Sequence, residues 1–254
     1  MKIVTFNLRC AWDGDGINSF PHRAGSILNK IKKESPEVIC FQEGIEKNVA
    51  FLRNALPEYH IVFNQRNNDY RGEGIATALK KDSVELLGLD SFWLSPTPQI
   101  PGTRFEEQSV CPRICQCILL RHANGKMFRV YNTHLDHKGE QARVLGIQAV
   151  LQRMQADLEI LDVPFFLMGD FNATPDEETI RICSESISPV VKELTEPITL
   201  TFHNYGRITE NYKIDYIYAD AATAQLPIAV APWDDATDGI YLSDHYPLQI
   251  ELSF

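Results

Sequence analysis

The side chains able to do chemistry stand at the ends of apolar runs. Glu43 follows Val38-Ile-Cys-Phe-Gln42, and Asp170 and Asn172 follow Phe165-Phe-Leu-Met-Gly169. Asn7 and His134 close the runs Val4-Thr-Phe and Val130-Tyr-Asn-Thr. Asp215 opens Ile214-Asp-Tyr-Ile-Tyr218, and Asp244-His245 precedes Tyr246-Pro-Leu-Gln-Ile250. A lone Asp after a strand is usually a turn former or a helix cap. Five strand-end sites with small or carboxamide neighbours make coincidence a poor account of all of them. An oxygen-rich set without thiolates favours a hard cation, magnesium or manganese, over zinc. Such a cation, together with imidazoles that titrate near neutrality, suits metal-assisted hydrolysis of a phosphoester. An Asp such as Asp215 beside His245 would fix the imidazole tautomer and raise its pKa.

These positions need elements to hold them. Lys2–Leu8 is expected as a strand, and Arg23–Lys33 as a helix with Ala24, Ile27, Leu28 and Ile31 on one face and Pro36 past its end. A buried strand over 37–42, a short helix over 48–56, and strands over 59–64, 75–80 and 84–93 follow. Asn67–Gly74 is a turn, and Ser95–Cys111, with three prolines and a glycine, is a surface loop. Runs 113–120 and 127–133 form a hairpin around Ala123-Asn-Gly-Lys126, because Asn-Gly is the strongest short turn signal. The longest helix covers 141–161, then come a strand over 164–169 and a short helix over 176–183. Strands near 214–219, 226–231 and 248–254 finish the chain. Many strands, with helices between only some of them, indicate a mixed layered α/β (α+β) sandwich. No linker or run of like charge divides it, so residues 1–254 are expected to form a single domain.

The pattern repeats once. Strand, Asn7, helix, strand, Glu43 is echoed by strand, His134, helix, strand, Asp170, and each polar pair is 36 residues apart. A strand–helix–strand unit puts both residues on one rim of the sheet, so two facing units would bring four side chains to one cleft.

Bulk composition narrows the possibilities. The 254 residues are 44% hydrophobic and 23% charged, ordinary for a globular chain able to bury its own core. A net charge of −10 argues against the broad basic surface that grips duplex nucleic acid. Six cysteines show neither a disulfide framework nor a CxxC pair, which suggests free thiols in a reducing compartment, the cytoplasm. No apolar run is long enough for a signal peptide or a membrane span.

The ordered set Thr5-Phe-Asn-Leu8, Phe41-Gln-Glu43, Asn132-Thr-His-Leu-Asp136, Gly169-Asp-Phe-Asn172, Ile214-Asp-Tyr216 and Ser243-Asp-His245 resembles the endonuclease/exonuclease/phosphatase superfamily, over nearly the whole chain. Phe92-Trp-Leu-Ser-Pro-Thr-Pro98, Pro101-Gly102 and Asn132–His137 look closest to its compact bacterial branch. The resemblance implies a pancreatic-deoxyribonuclease-like four-layer α/β sandwich, two mixed sheets packed face to face with helices outside. It implies Asn7, Glu43 and Asp244 on the metal side, with Mg2+ or Mn2+ as cofactor. Asp170 would orient or deprotonate the attacking water with Asn172 beside it. His245, paired with Asp215, would contact or protonate at the scissile phosphate, and His134 would stabilise the transition state. Arg113 resembles a recurring basic position of the branch and is a candidate phosphate contact, a plain surface arginine being the alternative. His137 is expected at the surface or behind the site.

The expected activity is a metal-dependent phosphodiesterase or phosphomonoesterase, acting as a monomer on a small phosphorylated molecule or a short oligonucleotide. A nucleic-acid nuclease, a phospholipid phosphodiesterase using Phe92, Trp93 and Trp233, and an inactive binding module are the alternatives. Leucine-rich-repeat and DNA-gripping insertions are absent, which argues against messenger-RNA tail removal and abasic-site repair.

Overall fold

A computed structural model describes all 254 residues. Fourteen strands and four helices follow one another as β1 (Lys2–Asn7), α1 (Phe20–Glu34), β2 (Val38–Gly44), α2 (Glu46–Ala55), β3 (Tyr59–Gln65), β4 (Gly74–Lys80), β5 (Val84–Trp93), β6 (Ile114–His122), β7 (Met127–His134), α3 (Glu140–Ile160), β8 (Phe165–Asp170), α4 (Glu178–Glu185), β9 (Val191–Glu193), β10 (Asp215–Asp220), β11 (Ile228–Pro232), β12 (Ala236–Thr237), β13 (Ile240–Tyr241) and β14 (Leu248–Leu252). One sheet runs β11-β14-β1-β2-β4-β3 and the other β5-β6-β7-β8-β10-β9, each with six strands. Both are mixed: β1 pairs parallel with β2 and β7 parallel with β8, while their other neighbours are antiparallel.

Alternation along the strands builds the layers. Ile3 of β1 and Phe166 and Met168 of β8 point into the core between the sheets, with Val38, Cys40, Val130 and Ile250. Val4 and Phe6 point the other way, under Ala24, Ile27 and Ile31 of α1 and Leu52 of α2. Phe165 and Leu167 do the same on the second sheet, under Ile147, Val150 and Met154 of α3 and Ile180 of α4. The result is helix, sheet, sheet, helix, the four-layer sandwich expected. No helix is long and apolar enough to cross a membrane.

Local chemistry explains where the elements depart from the sequence reading. Helix α1 starts at Phe20, three residues earlier than its apolar periodicity suggests, because Pro21 is accepted in a first turn, where its missing N–H costs nothing. Strand β14 stops at Leu252, short of the chain end. Strands β9, β12 and β13 have three, two and two residues, too few to carry a period. The β6–β7 hairpin turns at Asn124-Gly125, with Gly125 at φ 91.

Candidate functional site

The two parallel pairs end on the same rim. Asn7 ends β1, Glu43 stands near the end of β2, His134 ends β7 and Asp170 ends β8. Asp215 opens β10 beside Asp170, its partner in register. The segment before β14 brings Asp244 and His245, and His245 bridges to Phe202. Between them lies a cavity of about 520 Å³, lined by Glu43, His134, Asp170, Asn172, Asp244 and His245 among others. Asn7 and Asp215 lie beneath this lining, 1% and 2% exposed.

Asn7 Nδ2 donates to Glu43 Oε1 (3.1 Å) and to Asp170 Oδ2 (3.0 Å), tying the acids of the two sheets together. Its Oδ1 accepts from the Arg9 backbone N–H at 2.9 Å. Glu43 Oε2 accepts from Cys10 N–H at 3.0 Å, and Asp170 Oδ1 from Asn172 N–H at 2.9 Å. His245 Nδ1 donates to Asp215 Oδ2 at 2.8 Å, leaving Nε2 3.9 Å from Asp170 Oδ2. His134 Nε2 is 3.4 Å from the same oxygen. Arg9 Nε stands 3.7 Å from Asp244, and Ser243 Oγ donates to Asp244 at 3.1 Å.

Burial and charge set the protonation states. Burial pushes Asp170 up to about 7, with Asp215 adding to the push and His245 opposing it. Burial would lower His245, but the Asp215 carboxylate outweighs it, with Asp170 and Asp244 behind, and the imidazole rises to about 10. His134 is held well below its ordinary value by burial, then by the Arg113 and Arg66 guanidiniums. Burial raises Asp244 and the charge of Glu43 adds to it. Glu43, although buried, stays low because the Cys10 N–H, His245, Arg9 and Asn7 hold its carboxylate.

This donor set fits a hard divalent cation. Glu43, Asp170, Asp215 and Asp244 crowd one end of the cleft, where a bound cation would relieve their repulsion. Ligand-capable atoms of Asp170, Asp215 and His245 also lie within 4.8 Å of one another. Asp215 and His245 satisfy each other, however, so Glu43 and Asp244 are the acids better placed for a cation. Cys10 offers no soft ligand, since burial and Glu43 push its thiol up to about 12.

Of the residues expected from the sequence, Glu43, Arg113, His134, Asp170, Asn172, Asp244 and His245 line the cavity, and Asn7 and Asp215 lie beneath it. Arg113 is resolved between its two readings: it is 4% exposed and lines the cavity, so it is no surface arginine. His137 also lines the cavity, its Nδ1 3.0 Å from Arg113 Nη2. Sequence reasoning missed Arg9, Cys10, Arg66 and Glu73 in the walls, which sit in loops without a periodic or motif signal. It also missed two supports. Arg23, fully buried in α1, donates to the carbonyls of Leu8 (2.9 Å) and Leu242 (2.6 Å), clamping the loop after β1 to the segment carrying Asp244. Beneath the site, Gln42 Nε2 donates to Asn132 Oδ1 (2.8 Å), and Asn132 Nδ2 donates to the Ala76 carbonyl (3.1 Å), joining the two sheets through buried amides.

The profile of the Endonuclease/Exonuclease/phosphatase family matches residues 4–245. An uncharacterized protein of Acanthamoeba polyphaga mimivirus is 22% identical over 271 residues, covering 98% of this chain and 99% of that one. Tyrosyl-DNA phosphodiesterase 2 of Rattus norvegicus is 26% identical over 174 residues, 67% of this chain but 42% of that protein. Among solved structures, an endonuclease/exonuclease/phosphatase from Bacteroides vulgatus superposes with a TM-score of 0.89 at 27% identity, covering 99% of this chain and 98% of that one. The mannosyl-6-phosphatase of Bacteroides thetaiotaomicron superposes with a TM-score of 0.86 at 24% identity, covering 100% of both chains.

Proposed function

Because this chain belongs to the Endonuclease/Exonuclease/phosphatase family, and is thereby a hydrolase of phosphoester bonds, we propose that it is a magnesium- or manganese-dependent enzyme acting on a small phosphorylated molecule or a short oligonucleotide. Residues 1–254 act as one catalytic domain, as a monomer, and the six free thiols support a reducing, cytoplasmic setting. Glu43 and Asp244 would hold the cation, with Asn7 fixing Glu43 from behind. When bound there, a hard cation would supply Lewis-acid stabilisation of charge developing on the phosphoryl group.

The remaining roles belong to side chains. Asp170, raised to about 7, is poised to orient the attacking water and take its proton, steadied by the Asn172 and Asn7 N–H groups. His245 donates its Nδ1–H to Asp215, and because that carboxylate raises the imidazole to about 10 it also carries a proton on Nε2 at neutral pH, which it can donate to the phosphoryl group or to the leaving oxygen. His134, kept neutral by burial and by Arg113, donates a hydrogen bond to charge that develops in the transition state. Asn172 and Arg113 contact the substrate's phosphate, the guanidinium fork matching its oxygens.

The observation that carries this reading is the meeting of the Asn7–Glu43 and His134–Asp170 pairs across one cavity, with Asp170 Oδ2 reached from both sheets. Changing Glu43→Gln or Asp170→Asn should cut magnesium-stimulated hydrolysis of an aryl phosphoester by about 10³ while circular dichroism stays unchanged. Full activity in either variant, or activity indifferent to a chelator, would sink it.

A further inference from the structure

Two of the arginines lining the cleft carry N–H groups that the protein itself does not satisfy. Arg113 is buried, yet its Nε and Nη1 have no hydrogen-bond partner. Its nearest carboxylate, Asp136, is 3.7 Å away, and both Asp136 oxygens already accept from Ser109, one of them also from the N–H groups of Lys138 and Gly139. Leaving N–H groups of a buried cation unmade is costly, so such an arrangement is expected where an external anion completes it.

Two neighbours extend the same surface. Arg66 gives Nη1 to Glu73 at 2.7 Å, but its Nε is buried without a partner. Its backbone is held in place by the Trp93 indole N–H, which donates to the Arg66 carbonyl at 2.6 Å. His137 Nδ1 faces Arg113 Nη2, and since a guanidinium can only donate, the imidazole accepts there and carries its proton on Nε2. Arg66, Arg113 and His137 all line the catalytic cavity, and Arg113 Nε and Nη1 and Arg66 Nε are without a partner.

We propose that Arg113, Arg66 and His137 form a recess for the terminal oxygens of a phosphomonoester dianion, making this enzyme a phosphomonoesterase; the proposal rests on the phosphoesterase reading of the same cleft. A monoester near neutral pH carries about −1.5 to −2 charges and three terminal oxygens, and the arginine fork matches such a group. A diester carries one charge, and it would have to lay a second ester arm against these guanidiniums, covering donors it cannot pair. The leaving group has room elsewhere. A further cavity of about 680 Å³, bordered by Trp12, Tyr205 and Arg207, shares Arg9, Asn204 and Asp244 with the catalytic one.

The test compares wild type, Arg113→Met and Arg113→Lys on 4-nitrophenyl phosphate and bis(4-nitrophenyl) phosphate at saturating magnesium. It is paired with thermal unfolding in metal-free buffer, with and without inorganic phosphate. Wild type should prefer the monoester, and Arg113→Met should lose roughly 100-fold in kcat/KM on it, with a much smaller loss on the diester. Phosphate should raise the wild-type Tm and leave that of Arg113→Met unmoved, while Arg113→Met without phosphate unfolds no lower than wild type because a buried guanidinium with two unmet nitrogens is gone. Arg113→Lys keeps the charge without the fork and should fall between; if the Met variant does not fold, Arg66→Met carries the same comparison. Equal losses on both esters, a wild-type preference for the diester, or a phosphate-induced shift that survives in Arg113→Met would overturn the proposal. Were wild type to hydrolyse neither ester, the phosphoesterase reading would fall, and the phosphate-induced shift would still decide whether the recess binds the anion.

Discussion

The two parallel units β1–α1–β2 and β7–α3–β8 share a topology and a 36-residue spacing between their polar pairs, but they deliver those pairs differently. In the second unit His134 and Asp170 lie opposite one another in register, on the same inward face as Val130, Phe166 and Met168. In the first unit Asn7 lies opposite Gln42, and Glu43 is one residue further on. By strand alternation Glu43 would face the helices with Phe41. A positive φ of 55 at Glu43 and a register break between Phe41 and Gly44 turn it back to the cleft. Equal spacing in sequence thus hides unequal geometry. The in-register pair forms a buried histidine–acid contact, and the bulged one presents a carboxylate at the rim, where a cation can enter.

That contrast predicts a division of labour. Glu43→Gln and Asp170→Asn should each cost about 10³ in kcat, within the range for losing a metal-polarised or general-base step. They should separate in a magnesium titration: Glu43→Gln raises the half-saturating concentration, and Asp170→Asn leaves it nearly where it was. Identical titrations would break the division. Next in size is Asp215→Asn. Activity should rise with pH as Asp170 ionises, at or below about 7 because a bound cation favours the carboxylate, and fall as His245 loses its proton near 10. His245 is raised by Asp215, so its protonated form persists through neutrality and is lost as pH climbs through the folded value. Removing the Asp215 charge should bring the alkaline limb down toward the ordinary histidine range, and a pH–rate profile of the variant checks this.

The join between the units offers a smaller effect. Gln42→Leu strands the buried Asn132 Oδ1 and should cost about 1–3 kcal/mol in denaturant unfolding. Pairing it with Asn132→Leu should cost less than the two single changes added, as expected for residues in contact. Smallest is Asp157, which supports the second unit from α3. Burial would raise its pKa, but hydrogen bonds from Cys117, Arg153 and Tyr131 hold the carboxyl low. A depressed folded-state pKa means stability present above the unfolded value of about 3.9 and lost as pH falls through the folded one. Asp157→Asn should therefore destabilise by about 1 kcal/mol at neutral pH, and the difference from wild type should shrink in unfolding curves taken below pH 3.9.

Much of this was legible along the chain. Residues that end buried apolar strands, Asn7, Glu43, His134 and Asp170, were visible because burial on both faces leaves no local use for a polar side chain there. The Asn124-Gly125 hairpin and the buried face of α1 were visible for the same local reason, turn chemistry and period. Strand β9 escaped because its three residues hold no period.

The sequence by itself determined a mixed layered sandwich, the order of the strands' polar ends and the oxygen-rich chemistry of the site, because alternation, helical period and residue type are local properties, while the four layers came from the family resemblance. Only the tertiary structure decided which way Glu43 faces, that Asn7 bridges to an acid 163 residues away, and that Arg113 is buried with N–H groups unmet. Those outcomes depend on desolvation and charge summed over distant segments, which no window of sequence contains.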